Sequence, residues 1–154
     1  MKPTTPYGSL PLLEWDGVRI AQSMAIARFL AREVGLTGRN SLEAAQIDEV
    51  VDAVNDIAQA GAKAFFSKDE AEMKKYTTET LPAGLIEKRL DSRGGQFMVC
   101  NTLIWADLRL FDFCFQLRDP SGLDNFPGTK NLIGRVGRIP NIQAWVEARS
   151  ESKI

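Results

Sequence analysis

Two hydrophobic rhythms divide the chain. Near its start the apolar positions come as two short runs, Leu12–Trp15 and Val18–Ala21, separated by Asp16-Gly17. Asp-Gly between such runs predicts a β-hairpin closed by a type I′ turn, because that turn needs positive φ at both central residues. Pro11 stands at the entrance of the first strand, where it removes no ladder hydrogen bond. The preceding Lys2 to Gly8, carrying Pro3, Pro6 and Gly8, reads as loop.

From Ser23 onward the period is that of a helix. The pattern predicts a helix over 23–34, capped by Ser23 and stopped by Gly35, with Ile26, Phe29 and Leu30 on its apolar face. A longer helix over 42–66 follows, capped by Ser41, with Ile47, Val50, Val51, Val54 and Ile57 as its buried stripe. Residues 69–90 read as another, with Met73, Tyr76, Leu81, Leu85, Ile86 and Leu90 inward and Pro82 kinking or dividing it. Residues 105–117 are apolar nearly all round, the mark of a buried spine, and Asp107 within it must find hydrogen-bond partners. Two shorter helices close the pattern, one over 129–138 and one opened by Pro140 and Asn141. Phe111, Phe113, Phe115 and Trp145 read as core. So do Phe65 and Phe66, whose surroundings are alternatively the wall of an apolar pocket. The switch from strand-plus-helix to helix alone lies between Gly35 and Ser41, which places a boundary between residues 1–37 and 38–154.

Composition narrows the chemistry. The 154 residues hold 19 basic and 20 acidic side chains in no basic block, so the electrostatic footprint of a nucleic-acid binder is missing. No apolar run reaches the length of a membrane span, and the first residues do not read as a signal peptide, which leaves the cytosol as the expected location. With no histidine in the chain, histidine-based triads and most zinc or transition-metal sites are excluded. The two cysteines, Cys100 and Cys114, sit among apolar residues and read as inert buried thiols rather than a disulfide framework.

The opening stretch P-Y-G-S-L-P-L-L-E-W-D-G, followed by A-Q-S-M-A-I-A-R-F-L-A, resembles the latter half of the thioredoxin-like domain of cytosolic glutathione transferases. The likeness is above all to the sigma class, with its haematopoietic prostaglandin D synthases and lens S-crystallins. V-D-A-V-N-D in the long helix, W-A-D-L-R-L-F-D in the buried one and I-P-N-I-Q-A-W near the end agree with it, in order. The resemblance implies a β-hairpin and helix from a thioredoxin-like domain over 1–37, then an all-helical domain over 38–154. It also implies glutathione as cosubstrate, small apolar electrophiles as second substrates, and a homodimer through the helices at 23–34 and 42–66.

The same resemblance implies roles for particular residues. Leu10-Pro11 matches the family's cis-proline step, where the residue before proline pairs its backbone with the cysteinyl part of glutathione; without the resemblance it is a trans proline opening a strand. Gln22 and Ser23 match the pair that holds the γ-glutamyl carboxylate. Ser23 brings a hydroxyl and the first free N–H groups of a helix, whose dipole favours an anion; the alternative is a plain serine cap. Ser9 stands near the ligand where longer side chains are common, and Lys2 matches a basic position that meets the glycyl carboxylate. Asp48, Asp52 and Asp56 lie at i, i+4 and i+8, and are either a solvated acidic face or a cluster from which Asp56 reaches the partner subunit's ligand. Asn55 replaces an acidic member of that cluster, so no metal is expected.

The family's domain opens with a strand, a helix and a strand that precede the segment matching Lys2 and carry the thiolate-stabilising tyrosine. No catalytic residue is therefore assigned. The expectation is a truncated product, a partial gene model or a downstream start, with weak or no transferase activity, or else a non-catalytic crystallin-like or ligand-binding protein of the same fold.

Overall fold

A computed structural model describes residues 5–67, 69–76, 83–116 and 120–149. The chain runs β1 (Leu12–Trp15), β2 (Val18–Ala21), α1 (Ser23–Glu33), α2 (Ser41–Ser67), α3 (Glu70–Lys75), α4 (Ala83–Asp91), α5 (Trp105–Phe115), a 3-10 segment (Pro120–Asn125), α6 (Pro127–Gly137) and α7 (Pro140–Ala148). β1 and β2 pair antiparallel, Leu12 with Ala21 and Trp15 with Val18. The turn between them holds Asp16 at φ 48° and Gly17 at φ 77°, the positive pair that Asp-Gly supplies at low cost.

The hairpin lies on α1, where Trp15 meets Phe29 edge-on with ring centroids 5.4 Å apart. α1 ends in a Schellman motif. The Leu36 N–H donates to the Ala31 carbonyl at 2.8 Å and the Gly35 N–H to the Arg32 carbonyl at 3.2 Å, with Gly35 at φ 72°. The reversal turns Leu36 toward the core, and its carbonyl accepts the Trp105 N–H at 3.0 Å. The start of α5 is thereby tied to the end of α1.

α2 buries the expected stripe, Ile47, Val50, Val51, Val54 and Ile57, against a core that includes Leu90, Met98, Leu110, Leu132 and Val136. Its cap is Asn40, one residue before the expected Ser41. The Asn40 Oδ1 accepts the Glu43 N–H at 2.9 Å while the Glu43 carboxylate accepts the Arg39 N–H at 2.8 Å. Asparagine caps as well as serine, and here the partner three residues on decides the register.

The expected helix over 69–90 is two helices, α3 and α4. Tyr76, Ile86 and Leu90 are buried as expected, but Leu85 is 66% exposed. Leu81, Pro82 and the side chains of Met73 and Phe65 lie outside the described residues. The all-core reading of the aromatics also fails in part. Phe66, Phe115 and Trp145 are exposed, and Phe115 and Trp145 instead flank the Arg149 guanidinium at 5.6 and 5.2 Å from their ring centroids. α5 does form the spine, with Trp105, Ala106, Leu110, Phe111 and Cys114 buried.

Asp107 finds its partners in the backbone. Oδ1 accepts the Met98 N–H and Oδ2 the Ile104 N–H, each at 3.0 Å. Ile104, the residue before the helix, has no side-chain acceptor, so Asp107 satisfies the helix start from its third position. Burial pushes the Asp107 carboxyl up to about 6, against the pull of those two donors. The start of α6 is capped from another helix: Glu87 on α4 accepts the N–H groups of Gly128 and Thr129 and the Thr129 hydroxyl, all at 2.7 Å. Among the described residues no helix is long and apolar enough to cross a membrane.

Candidate functional site

The antiparallel register makes the site. One step beyond the last strand pair, Leu12 with Ala21, come Pro11 on one strand and Gln22 on the other, and one step further Leu10 and Ser23. The four residues therefore converge at one end of the hairpin although eleven or more positions separate the two pairs in sequence. The Leu10-Pro11 peptide bond is cis. Before it, the Gly8 N–H donates to the Thr5 carbonyl at 3.2 Å in a tight turn that brings Ser9 and Leu10 to the hairpin end. Leu10 is 59% exposed, and among the described residues its backbone has no internal partner. An extended peptide can pair there.

Gln22 carries a strained backbone at this end, at φ 75° and ψ 114°. That region costs a residue with a Cβ about 1–3 kcal/mol and persists only where its surroundings enforce it. The consequence is a correction: the N-cap of α1 is Gln22, and Ser23 is the first helical residue. No side chain caps α1 and its first turn holds no acidic residue. The first intrahelical bond runs from the Ile26 N–H to the Gln22 carbonyl at 3.0 Å, which leaves the N–H groups of Ser23, Met24 and Ala25 aimed outward beside the Ser23 hydroxyl. Together with the helix dipole these free donors favour an anion.

The remaining residues of the expected set are placed differently. Ser9 is exposed beside Leu10, and Lys2 lies outside the described residues. Asp56 stands apart, exposed on α2 and without an ion pair among the described residues. The acidic row that contains it is not uniformly solvated. Asp48 accepts the Arg28 Nε–H at 2.8 Å, and Asp52 lies 3.7 Å from the same guanidinium. Asn55 accepts the Arg109 Nε–H at 2.9 Å. Arg28 lies within the quoted stretch A-Q-S-M-A-I-A-R-F-L-A but was given no role there, yet two carboxylates on one helical face were a signal that a cation packs there.

The thiols have no place in this chemistry. Cys114 is buried and pushed up to about 12 by its burial; Cys100 is half-buried and raised by burial and by the Glu43 carboxylate its sulfur touches at 3.7 Å. Both stay protonated near neutral pH. A cavity of about 20 Å³ between Ile57, Ile86, Leu110, Phe113 and Leu123 has room for about one water and an apolar wall, a gap in packing rather than a ligand site. Among the described residues no group of three acidic or cysteine side chains is placed to hold a metal.

Along its length the chain is similar to known proteins. Residues 55–149 match the family described as glutathione S-transferase, C-terminal domain. Glutathione S-transferase 1 of Ascaris suum is 35% identical, over 99% of this chain and 79% of its own length. Haematopoietic prostaglandin D synthase of Mus musculus is also 35% identical, over 100% of this chain and 79% of its own. Among solved structures, prostaglandin synthase D of Nilaparvata lugens superposes with a TM-score of 0.85 at 34% identity, over 98% of this chain and 79% of that one.

Proposed function

The chain belongs to the glutathione S-transferase family, and from that premise we propose that it binds glutathione at the end of the hairpin. Residues 1–37 are the glutathione-holding part and 38–154 the helical part behind it. The observation that carries the reading is the convergence of Leu10-Pro11 with Gln22-Ser23. The free backbone of Leu10 pairs with the cysteinyl unit of the tripeptide. The Ser23 hydroxyl and the uncapped N–H groups of α1 take the γ-glutamyl carboxylate, with Gln22 beside them. Ser9 and Lys2 serve the remainder of the ligand, and Asp56 takes the γ-glutamyl amine across a homodimer formed by the helices at 23–34 and 42–66.

Bound in this way glutathione presents its thiol to a small apolar electrophile. Conjugation is attack by the thiolate, to which the protein contributes position and electrostatics. None of these 154 residues is assigned to activating the thiol, so turnover by this chain on its own is slow. The location that goes with this reading is the cytoplasm.

Titration calorimetry with glutathione tests the binding. One site per chain is expected, abolished by Ser23→Asp, which places a carboxylate where the ligand's carboxylate belongs. Absence of binding to the unaltered protein overturns the proposal in favour of a non-catalytic scaffold of the same fold. A turnover assay with glutathione and a halogenated nitroaromatic tests the second half, and rates typical of an active transferase would refute slow turnover.

A further inference from the structure

The hairpin and α1 are small, and a two-stranded sheet is at best marginally stable by itself. Their order depends on how α1 is held against the helical part. Apolar contact comes from Met24, Ala27 and Ala31, which are small or only partly buried residues. Among the described residues Arg28 is the polar side chain that reaches across. Its guanidinium donates from Nε to Asp48 at 2.8 Å, lies 3.7 Å from Asp52, and sits over the Trp105 ring at 5.4 Å from the centroid. Arg28 thus joins α1 to α2 and to α5 at once, and its side chain is only 25% exposed. Trp105 is in turn fixed by its backbone N–H to the Leu36 carbonyl, at the end of α1.

We propose that Arg28 is a positioning residue for the glutathione site: its ionic and aromatic contacts dock α1 on the helical part, and only the docked form binds. Arg28 lies five residues along α1 from Ser23, about 7.5 Å of helix rise, and touches no part of the site. Its effect on affinity is therefore indirect. When the binding-competent form is only a fraction of the population, the apparent dissociation constant rises by the inverse of that fraction. The inference rests on the reading of the hairpin end as a glutathione site, and it adds what keeps that site assembled.

The test compares the unaltered protein with Arg28→Ala, Arg28→Lys and the swapped pair Arg28→Asp with Asp48→Arg. Glutathione affinity is measured by calorimetry, amide hydrogen exchange by segment, and mass by light scattering. Arg28→Ala is expected to weaken glutathione binding roughly five- to tenfold, the combined size of a partly exposed ion pair and a cation–π contact. Exchange should rise in residues 12–34 and stay unchanged in α5 and α6. Arg28→Lys, which keeps the charge but loses the planar fork, should recover part of the loss, and so should the swapped pair.

Equal affinity and equal exchange in Arg28→Ala would overturn the proposal. So would faster exchange throughout the chain, which is general destabilisation, and so would a loss of affinity that follows a change of mass, which is a role in assembly. Were the unaltered protein to bind no glutathione, the functional reading would fail while the exchange comparison still decided whether Arg28 docks α1.

Discussion

The hairpin with α1 and the helical part behind it treat their polar backbone in opposite ways. In the helical part three helix starts are closed by side chains: Asn40 for α2, Asp107 for α5, and Glu87, from another helix, for α6. Its core side chains Ile47, Val51, Val54, Leu90, Met98 and Leu132 show no exposed surface. α1 starts instead from a strained Gln22 with no cap and no acidic residue, beside a loop whose Leu10 is largely exposed. One part has spent its hydrogen-bonding groups on itself; the other has kept donors unpaired at the end where glutathione is proposed to bind. On that proposal, stability and recognition are carried by different stretches of one chain.

The sharpest way to break this contrast is to open a closed helix start. Asp107→Ala leaves the buried N–H groups of Met98 and Ile104 without partners, and at about 1–3 kcal/mol for each unsatisfied group the expected loss is about 3 kcal/mol or more. Urea unfolding should report it, with α1 and the hairpin lost in the same transition.

Glu87→Gln should cost less, about 1–2 kcal/mol, because an amide retains part of the cap on α6 but not its charge. The pH dependence of this effect has a definite sign. Burial raises the Glu87 carboxyl, but the Thr129 hydroxyl and the N–H groups of Thr129 and Gly128 outweigh it and hold it below its ordinary value of 4.5. A carboxylate with a lowered folded pKa contributes stability above its unfolded value and loses it as pH falls through the folded one. The difference in unfolding free energy between the unaltered protein and Glu87→Gln should therefore be full above pH 4.5 and shrink below it. Asp107 is common to both proteins and cancels.

On the binding side the expected sign reverses. Gln22→Gly relieves the strained backbone at φ 75°, for an expected gain of about 1 kcal/mol after the entropy cost of glycine. The gain should appear as slower amide exchange in β2 and α1, accompanied by weaker glutathione binding. A variant that gains stability and keeps its affinity would show that the strain serves no purpose in the site.

The smallest effect concerns the thiols. Reaction of the folded protein with a disulfide reagent at pH 7 should be slow for Cys100 and slower still for Cys114, and denaturant should release both. Rapid modification of either would contradict its raised pKa.

Much of this organisation was legible in the linear chain. The Asp16-Gly17 turn, the Gly35 stop and the α2 stripe are local: turn chemistry and period act over four or five residues, and nothing distant competes with them. Three readings failed where a choice between neighbours was settled from elsewhere. Asn40 displaced Ser41 as cap because the Glu43 N–H donates to its Oδ1 while the Glu43 carboxylate accepts the Arg39 N–H, one register earlier. Ser23 gave way to Gln22 because the strand end delivers the chain to α1 at a positive φ. Phe66, Phe115 and Trp145 are exposed because hydrophobicity alone does not say which side of a helix has a neighbour.

By itself the sequence determined the order of hairpin and helices and the absence of histidine chemistry, since these follow from residue type and short-range periodicity, while its resemblance to the family singled out the pairs Leu10-Pro11 and Gln22-Ser23. Only the tertiary structure decided that the two pairs meet, that Glu87 caps a helix forty-one residues further along, and that Arg28 answers Asp48 and Asp52. These are contacts between elements distant in the chain. Antiparallel register and helix docking create them, and a side chain's partner across such a contact leaves no trace in its own neighbourhood of sequence.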